Sequence, residues 1–150
     1  MRQIKFRGKC QRGYDYSDGD GWIYGSLLQK DKVYAIVKTE DIDLSPNTDD
    51  GYSFVEDFGC IPVLPDTVSQ FTGLVDRNGK EIYEEDIIED KNGIGVIMWF
   101  QTAWGVASYA HGYNGVKSYT AVDSFYCNEV KEWAVIGNIH DNPELLNENQ

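Results

Sequence analysis

Three consecutive carboxylates, Glu84-Glu85-Asp86, come closest to a chemical grouping, because hard cations such as Mg²⁺ or Ca²⁺ take oxygen ligands. Successive strand residues point to opposite faces, so only Glu84 and Asp86 would share one. The segment brings none of the further ligands such an ion needs, and a solvated acidic turn is the better account. Asp76 and Asn78 are spaced like the start of a calcium loop, but Gly79 follows at the fourth position instead of the sixth, which disqualifies it. His111 and His140 are the only histidines, and His140 stands beside Asp141 and Asn142 at the end of an expected strand. Cys127 and His140 have the residue types of a nucleophile and its base, yet nothing local marks either. Cys10, Cys60 and Cys127 lie far apart in no Cys-x-x-Cys pair, and with two histidines they fall short of a zinc framework. They read as reduced, packed thiols. No glycine-rich phosphate loop is present. The expectation is a protein without a catalytic grouping, metal or cofactor.

Aromatic side chains are the other resource. Trp99, Phe100, Trp104, Tyr109, Tyr113, Tyr119, Phe125 and Tyr126 concentrate in the second half of the 150-residue chain. Such rows can stack nucleobases or grip peptides, but they equally fill a small β core, and the core is the better reading. Charge narrows the partners. The formal net charge is −12, and residues 10–92 hold 19 acids against 7 bases. That balance opposes binding to phosphate backbones, which needs Lys and Arg to displace counterions. It permits a self-repelling soluble surface or a basic protein partner. Arg2, Lys5, Arg7 and Lys9 open the chain with no acid among them, and a basic edge beside an acidic body invites head-to-tail association. A homo-oligomer is therefore expected, and direct nucleic-acid binding is not.

The elements that must position these residues are short strands. Gln3 to Arg7 alternates polar and apolar, the mark of a half-buried strand. Trp22 to Leu28 and Lys32 to Lys38 flank Gln29-Lys30-Asp31 as a hairpin. The segment Glu40 to Glu56 is acidic and reads as a loop, after which Cys60 to Leu64 resumes as strand between Pro62 and Pro65. Val68 to Val75 leads into Asp76-Arg77-Asn78-Gly79-Lys80, where Asn-Gly between apolar runs signals a hairpin turn. Thr72-Gly73 suggests a bulge. Strands are expected at Ile82-Tyr83, Ile87-Ile88, Ile94 to Phe100, Gly105 to Tyr109, Tyr119 to Phe125 and Trp133 to Ile139. Asn142-Pro143-Glu144 carries a capping Asn and a Pro at the first helical position, which predicts a short helix over 142–147. No run is long enough to span a membrane, and MRQIKFRGK lacks the apolar core of a signal peptide, so a cytoplasmic address is expected.

The stretch Val63 to Ile88, with Gln70-Phe71-Thr72-Gly73-Leu74, Asn78-Gly79-Lys80 and Ile82-Tyr83-Glu84, resembles the YopX-type proteins of bacteriophages and prophages. So do Ile4-Lys5-Phe6-Arg7-Gly8, Trp22 to Leu27, Ile136-Gly137-Asn138-Ile139-His140 and Asn142 to Leu146. The resemblance implies an SH3-like barrel in the C-terminal part. We expect a mainly β chain with an N-terminal β layer over residues 1–64, the barrel within 65–150, and one short C-terminal helix. One departure is informative. The family usually has Glu-Gly-Asp where this chain has Glu84-Glu85-Asp86, so a backbone position suited to glycine would strain Glu85. In the family an aromatic often stands at the position of His140, which favours packing or capping there. The functional expectation is a non-enzymatic protein-interaction module of phage or prophage origin. Its candidate surface is Asp76, Asn78, Lys80, Glu84, Glu85 and Asp86 with Trp99 and Trp104. The alternative is a nucleic-acid-associated protein or an acidic mimic of DNA that occupies a host DNA-binding protein.

Overall fold

The computed structural model describes residues 3–12, 19–38, 59–91, 93–100, 102–109, 116–121 and 130–146. The acidic segment Glu40 to Glu56 and the candidates His111, Tyr113, Phe125, Tyr126 and Cys127 lie outside them. The described chain is mainly β, every strand pairing in it is antiparallel, and it divides into two compact units at Gln70/Phe71. No helix among the described residues is long and apolar enough to cross a membrane.

In the first unit, β1 (Phe6–Lys9), β2 (Trp22–Lys30), β3 (Val33–Val37) and β4 (Cys60–Pro62) stand in the order β4-β3-β2-β1. Ser69 and Gln70, which open β5 (Ser69–Val75), add to the free side of β1. Alternation explains the two faces. Phe6 packs with Ile23, Ile36, Ile61 and Val63 in an apolar cluster, joined by Cys10, Leu27 and Val68. Arg7 and Lys9 point the other way, 4.6 and 5.6 Å from the Trp22 ring centre, and Lys5 lies 5.7 Å from that of Tyr24. The basic start of the chain is thus laid against aromatic faces, a favourable placement for cations. Cys10 and Cys60 are partly buried, and neither is in a disulfide.

In the second unit, Phe71 to Val75 pairs with β6 (Glu81–Tyr83), and the register breaks between Phe71 and Val75. Gly73 supplies the bulge with φ +87°, a conformation that side-chain-bearing residues resist. The sheet that follows holds β7 (Asp86–Asp90), β8 (Gly93–Phe100), β9 (Ala103–Tyr109), β10 (Val116–Ala121) and β11 (Ala134–Asn138), in the order β10-β9-β8-β7-β11. Its core gathers Ile82, Ile88, Ile97, Trp104, Val106, Val130 and Trp133, with Leu74 and Val135 at the margin.

Two expectations change here. Among the described residues no pairing joins β10 to β11, so the sheet is not closed into a barrel. The reason is local to β11, whose outer edge is taken by the β5–β6 turn: Val135 N–H donates to the Asp76 carboxylate and the Arg77 N–H donates to the Trp133 carbonyl, while Ile139 N–H to the Glu85 carbonyl continues the β7–β11 register on the other side. The expected terminal helix is a single 3-10 turn, Pro143–Leu146. Asn142 does not cap it through its side chain; its Oδ1 faces back and accepts from Asn138 N–H at 3.4 Å. Four residues are also too few to support an α-helix alone.

A candidate interaction surface at two acidic turns

Asp76 opens the β5–β6 turn and is buried, only 5 % exposed. Its Oδ1 accepts from the backbone N–H groups of Asn78 and Lys80 at 2.7 and 2.9 Å. Its Oδ2 accepts from Val135 N–H at 3.0 Å and from the Asn78 side-chain amide at 3.4 Å. Gly79 completes the turn with φ +81°, and its N–H donates to the Asp76 carbonyl. Burial by itself would raise the Asp76 pKa. The N–H groups of Val135, Lys80 and Asn78 outweigh it and hold the carboxyl below its usual value. Asp76 is therefore a structural anchor, while Asn78 and Lys80 are exposed at the turn.

The second turn, between β6 and β7, carries the carboxylate triplet. Asp86 faces inward, 1 % exposed, and its Oδ2 accepts from Tyr83 N–H at 2.7 Å. This corrects the expectation that Glu84 and Asp86 share an open face, since alternation fails where the chain reverses direction. Glu85 sits in the left-handed region with φ +66°, the conformation for which glycine is the ordinary choice. Its backbone is fixed on both sides, with N–H to the Ile97 carbonyl at 2.7 Å and C=O from Ile139 N–H at 3.1 Å. Its Oε2 lies 2.6 Å from His140 Nε2, a partly buried pair.

That pair is what reading the sequence missed, because its members are 55 positions apart. His140 is positioned by Asn138, whose Oδ1 accepts from the N–H groups of His140 and Asp141 at 3.0 and 2.9 Å. Gly137 is needed beside it, since a Cβ there would meet the Asn142 side chain. The one available signal was the non-glycine residue at position 85 together with an imidazole at position 140.

The two tryptophans divide as well. They face each other across β8 and β9, with ring centres 4.9 Å apart and planes at 82°, the edge-to-face geometry aromatic quadrupoles favour. Trp104 belongs to the core at 8 % exposure, and its Nε1–H is buried without an acceptor among the described residues. Trp99 is 49 % exposed, and Phe100 beside it 37 %. Trp99 N–H donates to Glu84 Oε1 at 3.4 Å, which links this hairpin end to the β6–β7 turn. Of the eight candidates, Asp76, Asp86 and Trp104 point inward. Glu84 and Trp99 meet at the surface, Glu85 lies at its margin on His140, and Asn78 and Lys80 occupy the neighbouring turn. Among the described residues no group of three His, Cys, Asp or Glu side chains is arranged to hold a metal ion.

These features define an all-antiparallel β protein in which two consecutive acidic turns both bond to the last strand and its extension. The family model described as YopX protein matches residues 5–147, and the chain belongs to that family. No curated protein matches the chain in sequence.

Proposed function

We propose that this protein is a non-enzymatic interaction module that works through protein contacts. The observation that carries the reading is Trp99, a large aromatic left half exposed beside a carboxylate, where the same hairpin buries its partner Trp104. Half-exposed aromatics rimmed by polar groups are the usual anchors of protein interfaces. The wider reading is a cytoplasmic phage or prophage protein that self-associates, with an SH3-type barrel as the parent architecture of its second unit. Short antiparallel strands joined by tight turns support that parentage, and the net charge of −12 supports a protein partner over a polyanion. The acidity also supports the second reading, a DNA mimic that occupies a DNA-binding protein of the host.

Affinity capture of the tagged chain from host lysate, with and without nuclease, tests both. A stoichiometric, nuclease-resistant partner lost on Trp99→Ala or Glu84→Lys is the expected result. Capture that needs nucleic acid, or that both substitutions leave intact, overturns the reading. A captured DNA-binding protein displaced by duplex DNA moves the mimic ahead.

A further inference from the structure

We infer that Asn78 is a site of spontaneous modification gated by its own turn: the Asn78-Gly79 pair converts to isoaspartate when the Asp76 turn opens and not while it is closed. The inference is independent of the interaction reading. The chemistry belongs to any asparagine followed by glycine. The Gly79 amide nitrogen gives its proton to solvent and attacks the Asn78 side-chain carbonyl carbon. A C–N bond forms, and the side-chain nitrogen takes up a proton and leaves as ammonia. Water then opens the resulting succinimide at either carbonyl, giving aspartate or, with the backbone rerouted through the side chain, isoaspartate. Glycine favours the attack because it has no Cβ to obstruct it, and Gly79 has open space around it.

Bonding, not burial, makes the gate. Asn78 is exposed, so water reaches it. The attacking nitrogen is committed, because Gly79 N–H donates to the Asp76 carbonyl at 3.0 Å and that bond must break before the proton leaves. The electrophile is held as well. Asn78 N–H donates to Asp76 Oδ1 at 2.7 Å, and its Nδ2 donates to Asp76 Oδ2 at 3.4 Å. The Asp76 carboxylate at the centre of the turn is negative, and it opposes the second negative charge that must develop on the Gly79 nitrogen. The product does not restore the turn. Isoaspartate adds a methylene to the backbone ahead of Gly79 and Lys80, whose N–H groups then miss their acceptors. Either acid also sets a carboxylate against Asp76 where an amide donor stood. Opening is thereby recorded irreversibly, at a turn that also holds Val135 of β11.

The test incubates the full chain at mildly alkaline pH, folded and in urea, and follows residue 78 by peptide mapping with mass spectrometry that separates isoaspartate from aspartate. In urea the Asn-Gly pairs at 78, 92 and 114 share the same successor and should convert at similar rates. In the folded chain Asn78 should convert at least about tenfold more slowly than in urea, since the open turn is a minor population. Asp76→Asn, which removes the charge, should speed conversion of the folded chain, and Asp76→Ala should speed it further. Both variants are compared at a temperature where their far-ultraviolet spectra match the parent's, so a faster rate reports the turn and not global unfolding. Asn78→Asp, which copies one product, should lower the melting temperature. Equal Asn78 rates in the folded and unfolded chain, or an Asp76→Ala rate equal to the parent's, overturn the gate. No isoaspartate at position 78 even in urea overturns the site, and an Asn78→Asp variant that melts with the parent overturns the irreversible record.

Discussion

The turn at Asp76 and the turn at Glu84-Glu85 lie within ten residues of each other and are built from the same acidic residue types, yet they serve opposite ends. At the first, a glycine takes the left-handed position and the carboxylate turns inward to satisfy N–H groups of its own turn and of β11. At the second, a glutamate takes the left-handed position, Asp86 turns inward onto the Tyr83 N–H, and the other two carboxylates stay partly exposed, one on His140 and one on the Trp99 N–H. An inward carboxylate replaces water with several backbone donors and holds the fold. An outward one contributes little to stability. Acidity in the sequence does not distinguish them; the supply of N–H donors does.

Of changes at the two turns, breaking the first should have the largest effect. Asp76→Ala removes the acceptor of three backbone N–H groups and leaves Val135 unpaired at a strand edge. The expected cost is about 2–4 kcal/mol, read as a lower denaturant midpoint with an unchanged slope. The corresponding change at the second turn, Glu84→Ala, should stay within about 0.5 kcal/mol of the parent. Similar losses at both would erase the distinction.

Acid sharpens the same contrast. The Asp76 pKa is lowered in the folded state, so its stabilisation is present above the unfolded carboxyl value and is lost as pH falls through the folded one. Asp76→Asn cannot titrate there, and its amide presents a donor where Val135 N–H needs an acceptor. The gap in melting temperature between parent and Asp76→Asn should therefore be full near neutrality and narrow below about pH 4. A gap that stays constant down to pH 2 would assign the loss to shape and not to the ionised carboxylate.

The legible parts of this architecture are those encoded within a few residues. Asn78-Gly79 announces a hairpin and Gly79 has positive φ; Thr72-Gly73 announces a bulge and Gly73 supplies it; the unusual Glu85 announces strain and has φ +66°. What stayed hidden depends on distant partners. Asp76 turns inward because Val135, 59 positions away, needs an acceptor, and Glu85 stands over His140, 55 positions away. Trp99 and Trp104 carry identical side chains and stand opposite each other across β8 and β9, yet one is half exposed and the other belongs to the core, a difference set by what packs on each strand. The open sheet was hidden for the same reason, since the Asp76 turn, not another strand, occupies the outer β11 edge.

An intermediate effect is expected at the tryptophan pair. Trp99→Ala loses one edge-to-face contact and half-buried area but opens no enclosed cavity, because the ring already faces solvent. The cost should be about 1 kcal/mol, while Trp104→Ala, from within the core, should cost about 3–5 kcal/mol. Comparable losses would place Trp99 among the residues that hold the fold and remove it from the surface. Thermal melts of the two variants decide this before any binding experiment.

The smallest effect should come from Glu85→Gly, and its smallness is informative because it hides opposing contributions. Glycine relieves a left-handed conformation that costs a side-chain-bearing residue about 1–2 kcal/mol. Against that, it adds about 0.5–1 kcal/mol of unfolded-state entropy and removes a partly exposed pair to His140, worth at most about 1 kcal/mol. The sum lies near zero. His140→Ala separates the contributions, because it deletes the pair and leaves the strain. Alone it should destabilise by about 0.5–1 kcal/mol, and in the Glu85→Gly background by less, since the pair is already gone. If His140→Ala costs the same in both backgrounds, the imidazole is held by the Asn138 backbone turn and Glu85 contributes nothing to it. The strain at position 85 would then have no compensation from His140.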